Sequence, residues 1–98
     1  IILAHIGGGG DWEWTIKRAA DSDTLLADTS GSVVDEGLVE MAVDLLGPQR
    51  LLFGCDGSLS AGVGKLRGAQ ISQDAQRMIL GENFLRLVSG RRLQAPRP

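Results

Sequence analysis

The chain has 98 residues, room for one domain at most. Its 43% apolar and 22% charged residues make a globular composition, and a net charge of −2 gives no electrostatic footprint for nucleic acid. No run approaches ~18 consecutive apolar residues, which excludes a membrane-spanning helix.

Residues 1–6 form an apolar run that reads as a buried strand. It carries neither a Met nor a basic leader, so it reads as a strand interior whose N-terminal side is missing. Four glycines follow at 7–10, and Asp11 is placed to cap a short helix reaching Ala20. A second strand is expected at 24–27, closed by Asp28-Thr29-Ser30-Gly31. Ser32 and Asp35 then resemble a capping box with a shortened acid. Val34, Leu38, Met41, Ala42 and Leu45 recur at helical spacing until Gly47-Pro48 stops the helix. The third strand is expected at 51–54, followed by a long loop over 55–71 with Lys65 and Arg67 on it. Ser72 is an N-cap, Met78 and Ile79 face inward, Gly81 interrupts, and a helical pattern resumes over 82–88. Little order is expected from Ser89 onward, where Arg91, Arg92 and Arg97 read as a solvated basic tail.

This grammar of apolar run, loop and helix occurs three times, which argues for βα units on a parallel sheet. Three units cannot close a barrel, because a complete eight-stranded one takes ~250 residues. An open three-stranded sheet leaves two unpaired edges. The expected partner is therefore the rest of a barrel or another copy of the chain. The single cysteine cannot form an intrachain disulfide, and the expected location is cytoplasmic.

Parallel-strand enzymes carry their sites at the carboxyl ends of the strands. His5, the lone histidine, ends the first run, and Asp56 ends the third. Alternation along a strand puts His5 on the face of Leu3 and Asp56 on the face of Leu52. Alone, His5 reads as a core or loop histidine and Asp56 as a turn residue before Gly57. Together they are candidate ligands of a divalent metal, since imidazole and carboxylate are both common zinc donors. Cys55 alternates away from Asp56 and reads as a buried, inert thiol. Asp28 and Ser30 are candidates for orienting a ligand, or equally for capping the next helix.

Taken in order, Leu3-Ala4-His5-Ile6-Gly7-Gly8, Ala27-Asp28-Thr29-Ser30-Gly31, Leu46-Gly47 and Leu52-Phe53-Gly54-Cys55-Asp56 resemble the metal-dependent amidohydrolase family. The branch they resemble is the one that includes the aminocarboxymuconate-semialdehyde decarboxylase relatives. The stretch from Met78 to Leu87 is similar to that family's last helix. The resemblance implies the C-terminal portion of a (β/α)8 barrel, strands six to eight, over residues 1–88, with 89–98 as the tail. It also implies that His5 binds metal or polarises the reacting group, and that Asp56 binds metal and serves as general base. The histidines of the earlier strands are absent from this chain. Where the family often has Ser, this chain has Cys55; where the family has an aromatic-Pro pair, it has Gly57-Ser58.

Other motifs fail. Trp12 stands where a dinucleotide fingerprint needs its third glycine. Leu59 and Leu66 break any phosphate loop around Gly64-Lys65. The function that the resemblance implies is a metal-dependent hydrolase, with zinc as the metal, acting on C–N or C–O bonds of a small organic substrate. Non-oxidative decarboxylation is the alternative within the same family. A non-catalytic module binding an anion at the glycine-rich turns is the alternative from another class, separable by metal content against phosphate binding.

Overall fold

Three short strands pair in parallel in the order β1-β2-β3: β1 (Ile2–Leu3), β2 (Leu26–Asp28) and β3 (Leu51–Leu52). The computed structural model describes residues 1–6, 11–31 and 35–94, with side chains through Ser89. Leu3 aligns with Ala27 and Ala27 with Leu51, while Asp28 aligns with Leu52. Parallel neighbours need a crossover, and here it is helical: α1 (Trp12–Ala20) joins β1 to β2, and α2 (Leu38–Leu46) joins β2 to β3. This is an α/β arrangement, as the repeated grammar implies.

Alternation along the strands sorts the two faces of the sheet. Ala27 and Leu51 enter the core with Ile16 and Ala19 of α1 and Leu38, Ala42 and Leu46 of α2. The opposite face carries Ile2, Asp28 and Leu52, and borders Leu80, Phe84 and Leu85. Leu52 is buried at 6%, but Ile2 is 45% exposed, Phe84 55% and Leu85 65%, so this second face is covered only in part.

The helix ends follow the sequence in part. Asp11 caps α1 through its main chain rather than its carboxylate: its carbonyl accepts the Thr15 N–H at 3.0 Å and the Thr15 hydroxyl at 3.1 Å. Asp35 does not start a helix either. Its carboxylate accepts the Trp12 indole N–H at 2.8 Å and ties the starts of the first two units together. Ser32 and Val34 lie outside the described residues, as do the four glycines. Gly47 ends α2 at φ 85°, in the left-handed region where glycine carries no Cβ penalty. A 3₁₀ turn over Pro48–Arg50 then leads into β3.

Two expectations for the last third are corrected. Residues 55–71 are not one loop: α3 (Leu59–Arg67) occupies most of the span. Ser58 caps it, accepting the Ala61 N–H at 3.3 Å, and Leu66 anchors it in the core. Glycine at 62 is a packing requirement, because a Cβ there would stand 2.8 Å from the Cys55 Cβ. Ser72 caps α4 (Gln73–Arg77), accepting the Ala75 N–H at 3.0 Å, as expected. The interruption at Gly81 takes the form of a π-helical turn over Met78–Glu82. The second correction is α5 (Asn83–Gln94), which runs on past Ser89, where little order is expected; residues 95–98 lie outside the description.

Two polar groups lock these pieces to the sheet, Asn83 buried and Arg50 half-buried. Asn83, 2% exposed, donates to the carbonyls of Pro48 at 2.6 Å and Leu51 at 2.7 Å. Arg50 donates to the carbonyls of Leu25, Ala19 and Ser22, satisfying main-chain acceptors at the end of α1. Among the described residues no helix is long and apolar enough to cross a membrane.

Candidate active site

The carboxyl ends of β1 and β3 meet at one edge of the molecule. His5 leaves β1 with φ 59° and Asp56 follows β3 with φ 46°. Both are non-glycine residues in the left-handed region, which costs of order 1 kcal/mol or more and concentrates at functional sites. The turn redirects both side chains. Nε2 of His5 lies 3.9 Å from Oδ2 of Asp56, with the side chains 45% and 64% exposed. Strand alternation alone sends these residues to opposite faces, because Leu3 and Leu52 lie on opposite faces in the observed register. Their convergence is a product of the two left-handed turns.

Behind His5 stands a polar pair from the end of β2. Oδ1 of Asp28 accepts the Ser30 N–H at 3.0 Å, the Ser30 hydroxyl in a short contact and the His5 main-chain N–H at 3.1 Å. Oγ of Ser30 also lies 3.2 Å from Nδ1 of His5 and 3.3 Å from its main-chain N. Asp28 and Ser30 contact His5, and the Asp28 carboxylate also closes a local turn onto the Ser30 N–H. The space is tight. At Gly31, which sits at φ 100°, a Cβ would approach Nδ1 of His5 to 3.0 Å.

Lys65 of α3 braces this wall from outside. Its Nζ donates to the carbonyls of Thr29 at 2.9 Å, Gly31 at 3.1 Å and Ser30 at 3.4 Å. Burial pushes its ammonium below the usual lysine range, and the Asp28 carboxylate pulls the other way. These three acceptors give Lys65 a structural role, one the sequence did not signal. Replacing Lys65 with Met is expected to lower stability by about 1.5–3 kcal/mol, the range for hydrogen bonds from a charged donor. Chemical denaturation checks this. A selective rise in KM at unchanged stability would return Lys65 to the substrate.

Cys55 faces α3, as alternation suggests, yet it is only half-buried. With Gly31, Gly54, Asp56, Ser58 and Gly62 it borders a cleft of about 340 Å³, within the usual range for small-molecule sites.

A metal is implied by the family resemblance, and the donor chemistry permits a test of fit. Two donors on one tetrahedral zinc lie roughly 3.4 Å apart. The observed separation is 3.9 Å, about half an ångström wider than that. Among the described residues no third His, Cys, Asp or Glu joins them in a cluster. Imidazole and carboxylate are suitable zinc donors by chemistry, and a zinc site would need further ligands beside these two.

The arrangement is that of parallel βα units with polar residues at the carboxyl ends of the strands. In fold, the chain is similar to 5-carboxyvanillate decarboxylase LigW from Sphingomonas paucimobilis, with a TM-score of 0.64 and 22% identity. The similarity covers 89% of this chain and 32% of that one, so the chain spans about a third of its length. No protein-family model matches the sequence, and no curated protein matches it.

Proposed function

We propose that this chain is the C-terminal part of a (β/α)8 barrel and supplies His5 and Asp56 to a metal-dependent decarboxylase of a small organic acid. The observation that carries the reading is the 3.9 Å approach of His5 Nε2 to Asp56 Oδ2 at the carboxyl ends of two parallel strands. Similarity in fold to a 5-carboxyvanillate decarboxylase favours decarboxylation over the hydrolysis placed first on sequence grounds. The remaining ligands would come from other strands of the barrel.

His5 and Asp56 would hold the metal, which when bound supplies Lewis acidity toward a substrate oxygen and to bound water. Asp56, the more exposed of the two, moves the proton. Asp56 would take that proton from water and pass it to the carbon bearing the carboxylate; the carbon–carboxylate bond breaks with its electron pair going to the new C–H bond, and CO2 leaves with no net redox change. His5, held by Asp28 and Ser30, keeps its free edge toward the reacting group. Small residues at Gly31, Gly54 and Gly62 leave the neighbouring cleft open to a compact substrate.

The test supplies the intact protein with zinc or manganese and 5-carboxyvanillate, and measures CO2. Release of CO2 that stops on chelation is the expected result. Metal-dependent cleavage of amide or ester substrates without CO2 release would replace decarboxylation by hydrolysis. Phosphate binding without metal uptake would favour the non-catalytic module.

A further inference from the structure

We infer that Asp28 and Ser30 act as a proton-ordering pair that holds neutral His5 in the Nδ1–H tautomer, leaving the lone pair of Nε2 toward Asp56. The argument is an inventory of one hydroxyl. Serine has a single O–H to donate and two lone pairs to accept with, whereas an ionised carboxylate only accepts. The short contact from Ser30 Oγ to Asp28 Oδ1 therefore consumes the hydroxyl proton. What remains on Oγ is acceptor capacity. One lone pair faces the main-chain N–H of His5 at 3.3 Å and the other faces Nδ1 at 3.2 Å. Nδ1 can bond there only as a donor, so the ring proton belongs on Nδ1.

The surroundings hold this order in place. Ser30 is 8% exposed and Thr29 1%, so bulk water does not compete freely for the hydroxyl. Oδ1 of Asp28 also takes the N–H groups of His5 and Ser30, which fixes the carboxylate. Lys65 grips the three carbonyls of residues 29–31 and keeps the segment from turning away.

The consequence lies on the other edge of the ring. Nε2 then presents an electron pair to Oδ2 of Asp56, itself an electron-pair donor, across 3.9 Å. That distance is too long for a direct hydrogen bond. The two atoms jointly suit an electron-pair acceptor, a divalent cation or an acidic substrate proton. Asp28 and Ser30 are thereby positioning residues for that centre. The inference rests on reading His5 and Asp56 as one centre, but its test reads the ring nitrogens directly. A missing decarboxylase activity and a wrong tautomer are thus separate outcomes.

The experiment is nitrogen NMR of the intact, metal-free protein labelled with 15N-histidine, at a pH of ~8.5, about two units above the ordinary imidazole value. The His5 signals are assigned by their loss in His5→Gln. A protonated, pyrrole-type Nδ1 and a pyridine-type Nε2 are expected in the wild type. In Ser30→Ala the Nδ1–H share should fall below half, and Ser30→Thr, which keeps the hydroxyl, should restore it. A wild-type ring protonated on Nε2 overturns the inference by itself, even if Ser30→Ala fails to fold. So does an unchanged Nδ1–H share in a folded Ser30→Ala protein.

Discussion

Replacing Asp56 with alanine in the intact protein is expected to reduce turnover by about 10²–10⁴-fold, the usual contribution of a positioned acid–base group. Bound metal should fall with it, because the variant removes one of two donors that stand 3.9 Å apart. The left-handed backbone at Asp56 leads into Gly57 at φ 91°, and alanine accepts that turn poorly. Asp56→Asn is therefore the cleaner companion, since asparagine tolerates the left-handed region while losing the charge. His5→Ala should also abolish turnover, with a smaller loss of metal if the imidazole chiefly polarises the reacting group. Steady-state CO2 release and elemental analysis on the same preparations separate the two roles. Full activity in Asp56→Ala would sink the mechanism, whatever the fold of the intact protein.

The order of elements was legible because each buried strand is a short apolar run closed by a turn. Extents were less so. Residues 1–6 read as one strand, yet only Ile2–Leu3 pairs, because His5 takes a left-handed conformation that a strand cannot continue. β2 starts two residues later than the expected 24–27 and ends one later, since Asp28 pairs with Leu52 while its side chain serves the site. The helix α3 was hidden by its glycines, which lower helix propensity. Ser58 offered a cap signal, but the need for a bare backbone at Gly62 against Cys55 exists only in three dimensions.

The candidate site divides along the same line. That His5 and Asp56 follow the carboxyl ends of apolar strands was readable, although the strands stop at Leu3 and Leu52; that they meet was not, because φ above zero at a non-glycine residue is set by tertiary context. Asp28-Thr29-Ser30 carried a local signal, an aspartate two residues before a serine N–H that its side chain can accept. Its other terminus, His5, lies 25 residues from Ser30 in sequence and no local pattern points to it. Lys65 is hidden for the same reason, its carbonyl partners being 34 to 36 residues away.

The 98-residue chain expressed by itself is expected to associate or to lack cooperative unfolding, rather than to behave as a well-folded monomer. The partly covered face of the sheet supplies the reason. Ile2, Leu52, Phe53, Leu80, Phe84 and Leu85 border an apolar recess of about 600 Å³ on the side away from α1 and α2. Fully burying one such side chain is worth roughly 1.5–3 kcal/mol, so leaving several in water forfeits a large share of a small domain's stability. β1 and β3 are moreover the edges of the observed sheet, and unpaired edges invite pairing with another chain. In a closed barrel both problems vanish, since flanking strands pair the edges and the inner face fills with side chains. Sedimentation at low concentration, alongside thermal unfolding, reads the outcome. Phe84→Glu with Leu85→Glu should shift the isolated chain toward monomer and yet destabilise the intact protein, where those positions would pack against the remaining barrel. A monomer that unfolds cooperatively without these changes would show that the three units suffice, and the barrel reading would have to be abandoned.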